Sequence, residues 1–199
     1  MFFRKCAANF SIPVAGILNK SFAEGKVLGD WKVSNIIPIF KNGNKSNPVN
    51  YRPINITPVF SKIAEYIIRD RILSHLRNNH LMTRSQHGFT CHKSVSTNLL
   101  ECLDDWTQNL ENGCQTDVLY FDFSKAFDSV VHSKLIHKLR EQFKLHENIV
   151  RWVQNFLTGR RQRVKVGNSY SNFVDVTSGV AQYKGPYWAS YYLLCTQTI

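Results

Sequence analysis

The stretch VLYFDFSKAFDSVVH, residues 118–132, decides how the chain is read. Val118, Leu119, Tyr120, Phe121 and Phe123 are strand formers. Alternation puts Val118, Tyr120 and Asp122 on one side and Leu119, Phe121 and Phe123 on the other. The run therefore reads as a β-strand that ends in a carboxylate. A carboxylate in so apolar a run is costly unless it is paired, hydrogen-bonded or metal-bound. Two readings of Asp122 follow. It caps the next turn or pairs with Lys125, or it projects from the strand end into a cleft. There a hard oxygen ligand suits Mg2+ (or Mn2+), which completes its shell with water and substrate phosphates. In a two-metal site such ions stabilise the attacking and leaving oxygens of phosphoryl transfer.

Outward from this stretch, helical and strand patterns mix. Residues 31–41, WKVSNIIPIFK, read as a strand, followed by a turn-rich loop over 42–53. Thr57 as N-cap and Pro58 at the first helical position start a helix that keeps Phe60, Ala64, Ile67, Ile68 and Ile72 at helical spacing to about Asn78. A second loop spans 84–94. Leu99, Leu103, Trp106 and Leu110 then form a stripe ended by Asn112-Gly113. After the quoted strand, Leu135, Leu139 and Phe143 mark another helix. Ile149, Val153, Phe156 and Leu157 mark a further one, stopped by Gly159. RRQRVKVGNSYSNFVDV reads as a hairpin turning at Gly167-Asn168. The class is α+β.

With 199 residues, 43% hydrophobic and 20% charged, the chain is globular rather than disordered and long enough for a core. A net charge of +11 calls for a polyanionic partner, a nucleic acid or an anionic membrane surface. Cys6, Cys91, Cys102, Cys114 and Cys195 are odd in number and lack a C-x-x-C, which fits a reducing, intracellular setting rather than a disulfide scaffold. No apolar run reaches the roughly 18 residues of a membrane span. The N-terminal segment, broken by Ser11, Pro13 and Gly16, reads as an amphipathic helix with Val14, Ile17, Leu18 and Phe22 inward, not as a signal peptide.

FDFSKAFDSVVH resembles the first catalytic motif of the reverse transcriptases of LINE-type non-LTR retrotransposons. WKVSNIIPIFKNGNK with NYRPINITPVFSKIAE is similar to the family's opening motif, and SQHGFTCHKSVSTNLL to its second. WVQNFLTGRRQRVKVGNSYS and VTSGVAQ resemble the segment running into the next polymerase motif. The resemblance covers roughly residues 10–182. It implies a right-hand polymerase with an N-terminal helical lead-in (1–30), fingers (31–115), a partial palm (116–182) and a divergent tail (183–199).

By that resemblance, Asp122 is the first metal-binding aspartate and the Phe123 carbonyl a backbone ligand to the same ion. Phe127 is the aromatic gate beneath the sugar, where its ring leaves no room for a 2′-hydroxyl. Lys41 and Arg52 hold the triphosphate, and Gln182 contacts the nucleotide. Asp128 belongs to the K-A-F-D signature, with a capping or pairing role as open as a chemical one. Implied partners are an RNA template, a DNA primer and deoxynucleoside triphosphates, with no membrane and no protein partner. A nuclear site of action is implied in the same way.

The sequence also departs from the family. Thr90 stands where an arginine is usual, although Lys93 keeps a positive charge nearby. Ala181 replaces a proline and Tyr183 a glycine. The paired-aspartate hairpin that supplies the other metal ligands is not found, and neither is a thumb or an endonuclease. The expectation is a fragmentary RNA-directed DNA polymerase domain with little activity alone. A non-catalytic nucleic-acid-binding remnant is the alternative, and a protein-interaction domain with an incidental basic face is a third reading.

Two other groups stand out. Arg160, Arg161, Arg163 and Lys165 read either as a solvated edge strand or as contacts to the phosphates of a template–primer duplex, as does Lys93. Tyr51, Tyr170 and Phe173 are candidates for stacking on bases or for packing. His80, His87, Cys91 and His92 cluster in sequence, but their spacing matches no standard zinc pattern. His132 and His137 read as surface or capping residues.

Overall fold

The computed structural model describes residues 7–83, 85–88, 90, 92–122 and 126–180. The expectations for Phe123, Lys125, Cys91, Gln182, Ala181, Tyr183 and the tail lie outside them. Helices and a mixed sheet make up the described fold, as the α+β class requires.

Helical periodicity builds the core. Helix α1 (Ala7–Glu24) buries Leu18 and Ser21, with Val14 and Phe22 packed beside them. Ile17, expected inward, is 50% exposed, because a residue one step from Leu18 lies about 100° round the helix. Helix α2 (Val59–Asn78) buries Ala64, Ile68, Ile72 and Leu76 along one i, i+4 row. Its N-cap is Pro58 rather than Thr57. Pro58 is extended (ψ 146°), so the first helical turn starts one residue later than expected.

Helix α3 (Val95–Glu111) starts from a reciprocal cap. The Thr97 amide donates to Ser94 Oγ (3.1 Å) and the Ser94 amide to Thr97 Oγ1 (2.8 Å). It ends at Asn112, with Gly113 at φ 69°, as its sequence suggested. The stripe does not turn inward. Leu99, Leu103 and Leu110 are more than half exposed, and no residue of α3 is buried. The periodicity makes the helix, but no described element packs closely on that face.

Helix α4 (His132–His137) runs into a π turn over Lys138–Gln142, and Leu135, Leu139 and Phe143 are buried as expected. His75 Nε2–H donates to the Phe143 carbonyl (2.7 Å), fastening the end of that turn to α2. Helix α5 (Glu147–Leu157) buries Val150, Trp152, Val153, Phe156 and Leu157. Trp152 stacks on Phe156 at 5.3 Å and meets Phe22 edge-on at 5.8 Å. Its indole N–H donates to Ser21 Oγ (3.0 Å), so the buried donor is satisfied from α1.

The sheet runs in the order β2-β1-β3-β4, with β5 also on β3. Its strands are β1 (Val33–Phe40), β2 (Tyr51–Ile56), β3 (Arg161–Val166), β4 (Ser169–Tyr170) and β5 (Val174–Asp175). β1 and β2 pair antiparallel, with Ile37 opposite Ile54. β1 and β3 pair parallel, with Asn35 opposite Arg163. The loop expected over 42–53 is shorter than its composition suggested. The Lys41 amide donates to Asn50 O (2.8 Å), which extends the ladder beyond Phe40, and Tyr51, Arg52 and Pro53 are already strand. Pro53 is tolerated because β2 is an edge. β3 is not an edge strand, since β1 flanks it on one side and β4 and β5 on the other. It also joins the segment expected to be palm to the segment expected to be fingers.

Residues 118–122 form no strand. Leu119, Tyr120 and Phe121 are 78%, 85% and 88% exposed. Strand propensity describes fit to a pleated, half-buried surface, and no described strand pairs with this run. Among the described residues, no helix is long and apolar enough to cross a membrane.

Leu139→Ala, at a position with 0% exposure, should lower unfolding stability in urea by about 2–5 kcal/mol. Leu103→Ala, at 52% exposure, should change it by no more than about 0.5 kcal/mol.

Candidate functional site

The pairing register sorts the sheet's side chains. Residues directly opposite each other share a face, and neighbours along a strand alternate. Arg52 lies opposite Ile39, and Arg161 and Arg163 lie opposite Val33 and Asn35. Val33, Asn35, Ile37 and Ile39 form one face of β1. Arg52, Arg161, Arg163 and Lys165 therefore share that face, and Lys41, one step beyond β1, joins them by the same alternation. Between these cations lie the exposed Ile37, Ile39 and Ile56.

The rim of this face is aromatic. Arg163 sits over Tyr170 at 4.1 Å and Phe173 at 4.7 Å, and its Nε–H donates to Asn35 Oδ1 (2.8 Å). Arg161 lies 5.5 Å from the Phe173 ring and Lys165 5.4 Å from the Tyr170 ring. Tyr170 and Phe173 thus hold the cations in place. Tyr51 does not join them. It lies on the other face, edge-on to Phe40 at 5.5 Å, with its hydroxyl donating to Lys45 O.

Arg160 does not belong to this surface either. It is 3% exposed, with its guanidinium over the Phe156 ring at 4.6 Å. A one-residue step along an extended chain reverses the side-chain direction, which turns Arg160 inward and Arg161 outward. Lys93 is elsewhere, at the start of α3, 3.9 Å from Glu101. Glu101 also accepts from His87 Nε2–H (2.8 Å), while Thr97 Oγ1 lies 2.9 Å from His87 Nδ1. His87 is buried by these partners, and the described residues hold no cluster of three or more metal-ligating side chains.

The second part of the site is a turn and its clamp. Residues 126–129 form a turn, against which residues 178–180 are laid. The Gly179 amide donates to Val130 O (2.8 Å) and the Val180 amide to Phe127 O (2.9 Å). Ser178 Oγ donates to Asp128 O (3.2 Å), and His132 Nε2–H donates to Gly179 O (2.7 Å). Gly179 adopts φ 80°, and a Cβ there would stand 2.9 Å from the Asp128 backbone. Only glycine permits this approach. Phe127 packs against the core cluster. Asp122 is exposed and belongs to no described group of three or more metal-ligating side chains, so it could supply one oxygen ligand to an ion that arrives with substrate phosphates.

The structure thus gathers Lys41, Arg52, Arg161, Arg163 and Lys165 on one face. It joins Phe127 and Asp128 to Ser178 and Gly179 by a separate clamp. A cavity beside Asp128 is lined by Ile36, Pro53, Asn55 and Gln162, residues of the face opposite the cations. His132, which the sequence suggested was a surface or capping residue, is part of the clamp. Its place just after DSVV was the available signal.

Gly179→Ala should cost more than about 2 kcal/mol, from left-handed strain plus the clash with Asp128. Gly113→Ala, at φ 69° with open space around it, should cost only the strain, about 1–2 kcal/mol. Urea melts of the two variants compare them directly.

These features can be set beside known proteins. A family model described as reverse transcriptase (RNA-dependent DNA polymerase) matches residues 39–183. A probable RNA-directed DNA polymerase from transposon BS of Drosophila melanogaster is 27% identical over 179 residues, covering 86% of this chain and 20% of that protein. The RNA-directed DNA polymerase from mobile element jockey of the same species is 28% identical over 170 residues, covering 85% of this chain and 18% of its own length. A retrovirus-related Pol polyprotein from the type-1 retrotransposable element R2 of Popillia japonica is 25% identical over 160 residues, covering 79% and 22%. The chain spans about a fifth of the length of these curated relatives. The match takes in the later part of the opening motif, the turn at 126–129 and the SGV clamp together, and the chain belongs to the reverse transcriptase family, homologous to the RNA-directed DNA polymerases of non-LTR elements.

Proposed function

We propose that this chain is the fingers (31–115) and part of the palm (116–182) of a right-hand RNA-directed DNA polymerase, and that it grips an RNA template and DNA primer through the basic face of its sheet. The observation that carries the reading is the gathering of Lys41, Arg52, Arg161, Arg163 and Lys165 on one face around exposed isoleucines. Phosphate contacts from such cations release counterions and bind without regard to sequence. The apolar floor suits sugars and base faces.

The reaction is nucleotidyl transfer. A primer 3′-hydroxyl attacks the α-phosphorus of a deoxynucleoside triphosphate, and pyrophosphate leaves. Lys41 and Arg52 stabilise charge on the phosphates, and Phe127 excludes a 2′-hydroxyl. Gln182 contacts the nucleotide. Asp122, with the Phe123 carbonyl, holds a divalent cation, Mg2+ or Mn2+, which supplies charge neutralisation when bound. No membrane or protein partner enters this reading, and action at chromosomal DNA places it in the nucleus. The exposed, unpaired run at 118–122 favours a second reading, a nucleic-acid-binding remnant without chemistry.

Primer extension on an RNA template with deoxynucleotides and Mg2+ separates the two. Extension that vanishes in Asp122→Ala is the expected result for the polymerase. Tight, salt-sensitive binding without extension supports the remnant, and neither binding nor extension contradicts both. Arg161→Gln and Lys165→Gln should each lower the slope of log K against log salt by about one, with little dependence on duplex sequence.

A further inference from the structure

His87 is a buried polar group that neither the basic face nor the clamp uses. It is 5% exposed, on the loop before α3, and both of its ring nitrogens have partners on that helix. Nδ1 lies 2.9 Å from Thr97 Oγ1, and Nε2 lies 2.8 Å from Glu101 Oε2. The two partners are four residues apart and so share one side of the helix. α3 buries no residue of its own. Its capped end holds it, not the core. Among the described residues, its polar ties to the preceding chain are those to His87, Lys93 and the Ser94 cap.

The hydrogen count at Thr97 bears on the proton count at His87. A threonine hydroxyl has one proton to give and two lone pairs to accept with. The Thr97 hydroxyl accepts from the Ser94 amide (2.8 Å) and donates to Ser94 O (2.9 Å). With its proton used, it meets Nδ1 as an acceptor, so Nδ1 carries a proton. A carboxylate oxygen accepts and does not donate, so Nε2 carries one too. The four contacts coexist only on a doubly protonated, positively charged ring. When that ring loses a proton, one contact goes. Either the Thr97 hydroxyl turns from Ser94 O to Nδ1, or the Glu101 carboxylate faces a bare Nε2.

We propose that His87 is a pH-sensitive latch on α3. The charged ring holds the start of the helix to the loop before it, and the neutral ring slackens that hold. Between about pH 5 and pH 8, histidine is the side chain that ordinarily changes charge. The groups shown at the latch act in both directions. Glu101, whose side chain is 60% exposed, favours the charged ring through the 2.8 Å contact. Lys93, 3.9 Å from the same carboxylate, opposes it, as do the positive end of the α3 dipole and burial. The direct contacts decide the sign, because a charge-assisted hydrogen bond is about twice as strong as a neutral one. The latch is therefore complete in acid and weakens as pH rises. It does not depend on the polymerase reading.

Amide hydrogen exchange of the full chain, followed by NMR without nucleic acid, tests the latch. Protection is read at the Ser94, Thr97 and Asn98 amides, with each rate divided by the free-peptide rate at the same pH. It should fall about fivefold or more between about pH 5 and pH 8, while Val153 and Phe156 of α5 keep theirs. His87→Gln cannot titrate, so it should show the lower protection at both pH values. Glu101→Gln keeps an acceptor and removes the charge, so its fall should be smaller than that of the unmodified chain. Ring-nitrogen NMR at about pH 5 should show a proton on both nitrogens of His87. A ring with one proton there would overturn the proposal. So would equal protection at the two pH values, or a fall that survives in His87→Gln. If His87→Gln also exposes the amides of α5, the ring spectrum and Glu101→Gln decide, and a full fall in Glu101→Gln would contradict the latch. Failure of primer extension leaves this result standing, and loss of the latch leaves the polymerase assay standing.

Discussion

The arrangement of the candidate site depends on one pairing, the parallel ladder between β1 and β3. It brings together segments 128 residues apart and sets Arg163 opposite Asn35, where a side-chain hydrogen bond pins the register. A slip of one residue would turn Arg161, Arg163 and Lys165 to the inner face and Gln162 and Val164 outward. The positive surface exists because that register is held. The helical layer makes the register possible, since a parallel pair needs a long crossover and here α2 to α5 supply it.

The clamp on the turn at 126–129 is the second constraint, and it is mostly backbone. The amides of Gly179 and Val180 satisfy the carbonyls of Val130 and Phe127, and the missing Cβ of Gly179 lets the two segments approach. His132 closes the clamp from α4. A turn held at four points carries Phe127, half-buried against the core cluster. The carboxylate five residues earlier, Asp122, has no such support. It stands on an exposed run that pairs with no described strand.

Much of this was legible beforehand because periodicity is local. The buried faces of α2 and α5 follow from residues three and four apart, and Gly113, Gly159 and Gly167 mark the stops and the turn as their neighbours suggest. The cations of β3 were legible as a group but not one by one. Arg160 and Arg161 are adjacent and chemically identical, and only the onset of the strand decides which is buried. The stripe of α3 and the strand-like 118–122 were misread for one reason. Apolar spacing shows which side wants burial, not whether a neighbour supplies it. Thr57 and Pro58 differ by one position because proline's fixed φ allows an extended cap as readily as a first helical residue.

The central claim is that nucleic acid lies on the face shared by Arg52, Arg161 and Lys165. Photocrosslinking of an RNA–DNA duplex carrying diazirine groups along its backbone, with mass mapping of the attached peptides, tests it most directly. The account predicts attachment within 35–41, 52–56 and 161–173, lost as salt is raised. Attachment concentrated on α1 and α5, or unchanged by salt, would contradict it.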